Sequence, residues 1–264
     1  VVNPFEKAPF GELDPEENTP RYPYLVPTYR LHLVQEGQLS QQSSYAGYQL
    51  TVGKIIINKE ETTLQPGYIP PCTVTNSHKG LVDMHTRIDK FMGQLELYTV
   101  QIAQKINRRK QTNELAVMVL KLSDLIATYL GNEINSLRWF GLYTSPAFMF
   151  DKIVRLARIV KNFVDAKSGA GKEELLNYLA EWCGLSQGDF EVLFTDLVNV
   201  GYNHAQIDKT LKQVDVFMRT LDQLFSALNR LDFIGKRNDT GIFVTERPEN
   251  DPIEHTKRSR FFDE

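Results

Sequence analysis

Residues 81–106 read LVDMHTRIDKFMGQLELYTVQIAQKI, and the spacing of their apolar side chains decides the fold. Leu81, Met84, Ile88, Phe91, Leu95, Tyr98 and Ile102 follow one another at alternating intervals of three and four, the 3.5-residue period that gives a helix one continuous apolar seam. Val82, Met92, Leu97 and Val100 fall off that seam among Asp83, Arg87, Asp89, Lys90, Glu96 and Gln101, so the helix is expected to be covered from more than one direction. The pattern admits two readings. One is a long core helix of a monomeric bundle; the other is a helix that packs on its own chain and also faces an oligomer axis.

A second stretch repeats the pattern: Ile207, Leu211, Val214, Met218, Leu221, Phe225 and Leu228 again alternate four and three. Asp208 with Lys212 and Asp215 with Arg219 lie four apart, where opposite charges contribute about 0.3 to 0.5 kcal/mol each. Between the two seams the spacing predicts four more segments. One starts near Thr112 and carries Leu115, Met118, Leu122, Leu125, Ile126 and Tyr129, ending at Gly131 or continuing through Ile134, Leu137, Trp139 and Phe140. The next has Thr144 or Ser145 as cap and Pro146 in its first turn, followed by Phe148, Ile153, Leu156, Val160 and Val164. Short helices over 173–182 and about 188–200 stop at Gly184 and Gly201. Ser77 is placed to cap the first long helix and Asn203 the last, while Arg108, Arg109 and Lys110 suit the negative end of the first helix dipole. Together these make an antiparallel bundle over 72–234.

The chain ahead of the bundle is different in kind. Pro4, Pro9, Pro15, Pro20, Pro23 and Pro27, with Glu12, Asp14, Glu16 and Glu17, predict an extended strap over 1–27. Tyr29, Leu31 and Leu33 alternate with polar neighbours, as do Tyr48, Leu50 and Val52 before Ile55, Ile56 and Ile57. These read as two or three strands, with 41–44 as a connection and 58–61 as a turn. So small a sheet is marginal alone; it is expected to be the end of a larger β-domain or to dock on the helices. Gly67-Tyr68-Ile69-Pro70-Pro71-Cys72 closes it, because consecutive prolines remove two ladder donors. The fold class is thus α+β and mainly α: a strap and the end of a β-rich shoulder over 1–71, the bundle over 72–234, and a polar tail over 235–264. In the tail, 241–245 reads as a short strand and Arg258, Arg260, Phe261 and Phe262 lie near the end.

Composition bounds the function. The 264 residues are 42% hydrophobic, enough for a sizeable core, and a net charge of −3 with a pI near 6.0 gives no electrostatic drive toward nucleic acid or an anionic membrane. No apolar run reaches about 18 residues and the N-terminus lacks a leader pattern, so neither a membrane span nor a signal peptide is expected. The chain starts without Met and reads as an internal fragment or processed product. Cys72 and Cys183 read as reduced cytosolic thiols. A zinc site from Cys72, His78 and His85 would lack the close ligand pairs such sites use.

Ser168-Gly169-Ala170-Gly171-Lys172 looks like a phosphate-binding loop, but Ala166 stands where a Walker loop needs Gly, Glu173 where it needs Ser or Thr, and a helix precedes it. It is expected to be a helix-to-helix loop, with nucleotide binding the weakest of three function classes. His204 has no partner at a catalytic spacing, and Glu60, Glu61, Glu173 and Glu174 read as turn and first-turn charges. No catalytic group, cofactor or metal is expected.

The order of elements carries a resemblance: a β-part closed by Tyr68-Ile69-Pro70-Pro71, a helical bundle directly after it, and Tyr202-Asn203-His204 opening the last long helix. This is similar to the TssK family, baseplate components of the bacterial type VI secretion system, in which a β-rich shoulder ends in a Phe/Tyr-Ile-Pro-Pro motif. Pro20 to Val34 also resembles the family's stretch leading into the shoulder's final strands, and the likeness spans about residues 20–234. It implies a structural, non-catalytic part of a phage-tail-like protein secretion machine. The implied protein is a cytoplasmic homotrimer built around bundle helices, joined by its shoulder to the TssF-TssG wedge and linking the baseplate to the membrane complex at the inner membrane, without inserting in it. On that reading Leu81, Met84, Ile88, Phe91, Leu95, Tyr98 and Ile102 are the candidate trimer seam, and Ile207, Leu211, Val214, Met218, Leu221, Phe225 and Leu228 the alternative. The chain departs from the family in having about 30 residues after the bundle where the family has a whole C-terminal domain, and in lacking the early shoulder. A helical regulatory or accessory interaction module unrelated to secretion is the alternative class.

Overall fold

The computed structural model describes residues 2–29, 31–35, 50–58 and 61–235. The expected strand start at Tyr48, the 41–44 connection, Glu60, the 241–245 strand and the Arg and Phe residues near the C-terminus lie outside them. The fold is mainly α with a small β-part. Its helices are α1 Lys79–Arg108, α2 Glu114–Phe140, α3 Pro146–Asp165, α4 Ala170–Cys183, α5 Gln187–Val198 and α6 Ile207–Arg230. Two antiparallel ribbons pair β1 Val2–Phe10 with β2 Tyr24–Tyr29, and β3 Ile55–Ile57 with β4 Thr62–Leu64. Compactness divides the chain into one unit of residues 1–73 with 202–210, and a second of 74–201 with 211–264. Residues 202–210 therefore group with the β-unit, whereas the sequence pattern puts them in the bundle.

In the β-unit the proline-rich strap is extended but also paired. Phe10 lies opposite Tyr24, Pro9 opposite Leu25 and Lys7 opposite Pro27, with the register slipping between Asn3 and Lys7. Each strand of a two-stranded ribbon has a free edge, so prolines can sit there without breaking the ladder. At Gly11 the backbone turns with φ +99°, and a Cβ would lie 2.8 Å from Pro23 Cγ, so glycine is required. The β3–β4 hairpin closes where the turn was expected, with the Asn58 N–H donating to the Glu61 carbonyl at 2.9 Å. The strands expected through Leu31, Leu33, Leu50 and Val52 do not form: 31–35 and 50–54 are irregular chain. Alternation makes a strand possible, but a ladder partner makes it real, and these segments have none among the described residues.

Four of the helices, α1, α2, α3 and α5, start where a side chain satisfies an orphan N–H group, whereas α4 follows Gly169 with no side-chain cap. His78, rather than Ser77, caps α1, its Nδ1 accepting from the Gly80 N–H at 3.1 Å; Ser77 ends a 3-10 turn over Thr75–Ser77 and donates to the Val74 carbonyl. Asn113 caps α2 through Ala116 N–H at 2.8 Å, Ser145 caps α3 with Pro146 behind it, and Ser186 caps α5. α2 runs through Gly131 unbroken because Ile134 and Leu137 continue its buried face. α4 begins at Ala170, three residues earlier than expected, and stops at Gly184, whose φ of +68° is the left-handed cap glycine supplies at no steric cost. A 3-10 turn over His204–Gln206, with Asn203 accepting from the Ala205 N–H, precedes α6.

Within the second unit α1 packs along α2, α3 against α2 and α5, and α4 against α5. His85, buried on α1, meets the Leu137 carbonyl of α2 through Nε2 at 3.0 Å. Gly141 follows directly: a Cβ there would fall 2.6 Å from His85 Nε2 and 2.4 Å from the Leu137 oxygen. Thr75 N–H and Asn76 N–H donate to the carbonyls of Thr144 and Leu142, tying the entry of α1 to the α2–α3 corner.

Candidate functional site

The seam of α1 is the chain's own core. Leu81, Met84, Ile88, Leu95 and Ile102 are completely buried, Phe91 nearly so, and Tyr98 half-buried; Met92 and Thr99, off the seam, are buried as well. Side chains already covered within one chain cannot also line a threefold axis, so the candidate trimer seam is corrected to an internal packing face. The same holds for α6, where Ile207, Val214, Met218, Leu221, Phe225 and Leu228 are buried and Leu211 is half-buried. Phe217 and Leu224, buried beside them, extend that stripe beyond the strict seam. What α1 leaves exposed is Leu97 and Val100.

The residues that carry the family resemblance come together in the β-unit. Tyr68 donates its hydroxyl to the Thr51 carbonyl at 3.0 Å, with the Lys54 ammonium 5.4 Å from its ring centre, and burial raises its phenol above the ordinary value. Ile69 is buried, Pro70 and Pro71 half-buried, and Cys72 donates to the Pro70 carbonyl. From the far end of the chain, Tyr202 and His204 join this unit, the Tyr202 hydroxyl and His204 Nδ1 sharing a hydrogen bond at 2.8 Å. His204 is thereby engaged by a tyrosine and not by a nucleophile or carboxylate. Asp208 in the same unit is 5% exposed, with Oδ1 unpartnered among the described residues.

The remaining candidates each have another job. Lys172, at the end of the glycine loop, pairs with Asp165 at 3.0 Å and Glu191 at 3.7 Å, and a helix, not a strand, precedes the loop. His78 caps a helix and His85 holds Leu137, while no cluster of three metal-ligating side chains occurs among the described residues. Burial pushes the Cys183 thiol up to about 12, which makes it an inert core sulfur. No helix among the described residues is long and apolar enough to cross a membrane.

Two polar features of the bundle were not legible from spacing. Lys152 on α3, 6% exposed, pairs with Glu133 on α2 and lies 4.4 Å from the Phe148 ring centre; the Tyr129 hydroxyl donates to the Lys152 carbonyl at 2.7 Å. The hydrogen bond from Lys152 holds the Glu133 carboxyl below its usual range. The second is a cavity of about 700 Å³ between the C-terminal turns of α1 and α6, lined by Gln101, Gln104, Lys105, Asn107, Arg108 and Asn229. Comparison with protein-family models, curated proteins and solved structures finds no match.

Proposed function

We propose that this chain is a structural, non-catalytic assembly protein that acts as TssK does in a type VI secretion baseplate: a homotrimer whose β-unit joins the TssF-TssG wedge and so helps connect baseplate and membrane complex in the cytoplasm. One observation carries the reading. The β-unit leaves large apolar side chains uncovered, with Phe10, Tyr24, Leu25, Leu33, Ile57 and Leu64 each more than 60% exposed, while the helices bury both seams and leave Trp139 and Tyr143 exposed to that degree. Two-stranded ribbons cannot bury such side chains by themselves, and apolar surface of that extent marks an interaction site. The grouping of Tyr68 to Pro71 with Tyr202 and His204 in that same unit adds support. The test is retention of the wedge: the wild-type chain is expected to co-purify with the TssF-TssG pair, and Tyr24→Asp with Leu25→Asp to lose the pair at an unchanged melting temperature. A wild-type chain that never retains the pair overturns the reading.

The burial of both seams favours one second reading. A bundle that completes its core within one chain also suits a monomeric regulatory or accessory module, and that reading takes over where the wedge is not retained.

A further inference from the structure

From the cavity at the end of the bundle we infer a second binding site, one that takes an acidic segment of a protein in extended conformation. Its floor is built. Lys105 donates to the Asn229 carbonyl at 2.5 Å, in the last turn of α6, and to the Leu231 carbonyl just after it at 2.6 Å, and Asn229 Nδ2 donates to Gln101 Oε1 at 2.7 Å. These bonds fix α1 against the end of α6 and hold the cavity open between them.

The rest of the lining is unspent. Arg108 has no ion pair among the described residues, and Gln104 and Asn107 no side-chain hydrogen bond, while no carboxylate lines the cavity. Asp232, the acid whose charge acts on Lys105, is taken by Arg109 at 3.2 Å. Lys105, Arg108 and Lys110 therefore leave a cationic end on a chain whose net charge is −3, and such a local field attracts anions. Elsewhere in the bundle Arg87, Arg138, Arg155 and Arg219 each meet an aspartate. Arg108, like Arg158 and Arg230, meets no carboxylate among the described residues, and of these three it is the one that lines the cavity.

Shape selects among anions. Gln101, Gln104 and Arg108 recur at i, i+3 and i+7 on α1, a row about 10 Å long, which is the length of about three residues of extended peptide. Side-chain amides donate to and accept from a peptide backbone, and the arginine fork meets a carboxylate with two hydrogen bonds. A compact phosphate would engage the Arg108 end of that row and leave the amides at its other end unpaired. The inference rests on the cavity alone and stands whether or not the chain binds the wedge.

The test uses the full chain and a blocked nonapeptide foreign to it, Gly-Glu-Ser-Glu-Gly-Glu-Ser-Glu-Gly, read by fluorescence anisotropy at low salt, with its carboxamide version and inorganic phosphate as separate arms. Binding at submillimolar peptide is expected, absent for the carboxamide version, weakened about tenfold by Arg108→Gln, which is about 1.4 kcal/mol, and unchanged by Arg155→Gln. Gln104→Glu, at an exposed position that leaves folding intact, is expected to expel the peptide. Equal binding of the carboxamide version, indifference to both α1 variants, or no peptide binding at millimolar concentration would each overturn the site.

Discussion

Lys152 brings a charge into the bundle that Glu133 neutralises, with side-chain exposures of 8% and 20%. Removing one member leaves the other buried and unpaired, so Glu133→Leu is expected to cost toward the low end of about 3–5 kcal/mol, and Glu133→Leu with Lys152→Met less than that; urea denaturation of both variants measures it. The pair also sets a pH dependence. Because the folded Glu133 carboxyl is held down, its contribution is complete above the ordinary value of about 4.3 and is lost as pH falls through the lowered folded value. Asp165, held down by Lys161 and Lys172, acts in the same sense, whereas burial raises Asp222, whose ionisation opposes folding and is relieved as pH falls. Glu133→Gln should flatten the acid-side loss of melting temperature; an unchanged slope would deny the pair that role. At Gly141 the space is taken by His85 and the Leu137 carbonyl, so Gly141→Ala is expected to destabilise by about 1–3 kcal/mol, read as a lowered thermal midpoint. Little of this was legible in the sequence: the pairing of residues 19 positions apart across two helices, and the close approach that demands glycine, follow from packing and not from any local pattern.

At the scale of elements, the helical period was read correctly because a buried stripe writes itself into spacing. Ile134 and Leu137 carried α2 past Gly131, and Ser145-Pro146 marked the start of α3 as the capping chemistry requires. The strands were legible only in part. Ile55–Ile57 and the turn after it were found, but β1 hides behind its prolines and β4 is three residues without alternation. Ladder pairing is a long-range property, and Leu31, Leu33, Leu50 and Val52 imitate strands that do not form. The seams show the same limit from the other side: a 3.5-residue period identifies a packing face without saying which chain covers it. Leu95→Asp and Leu97→Asp separate the cases. A charge at buried Leu95 is expected to cost more than about 4 kcal/mol and unfold the chain, while the same charge at half-exposed Leu97 stays within about 0.5 kcal/mol. Circular dichroism reads both; a folded Leu95→Asp chain of altered mass would return the seam to an interface between copies.

For the whole molecule, two units divide the work: the helices close around their own seams, and the β-unit presents apolar surface that its ribbons cannot cover. On the function proposed above, the partner's contact lies on the β-unit instead of on the α1 seam that spacing nominated. A trimer, on this account, forms through faces the single chain leaves exposed. The most direct test is solution mass by light scattering of the chain purified with TssF-TssG. The account predicts a particle in which the chain is present at three times its 30.3 kDa mass and holds the pair; a 30.3 kDa monomer that elutes without it would contradict the account.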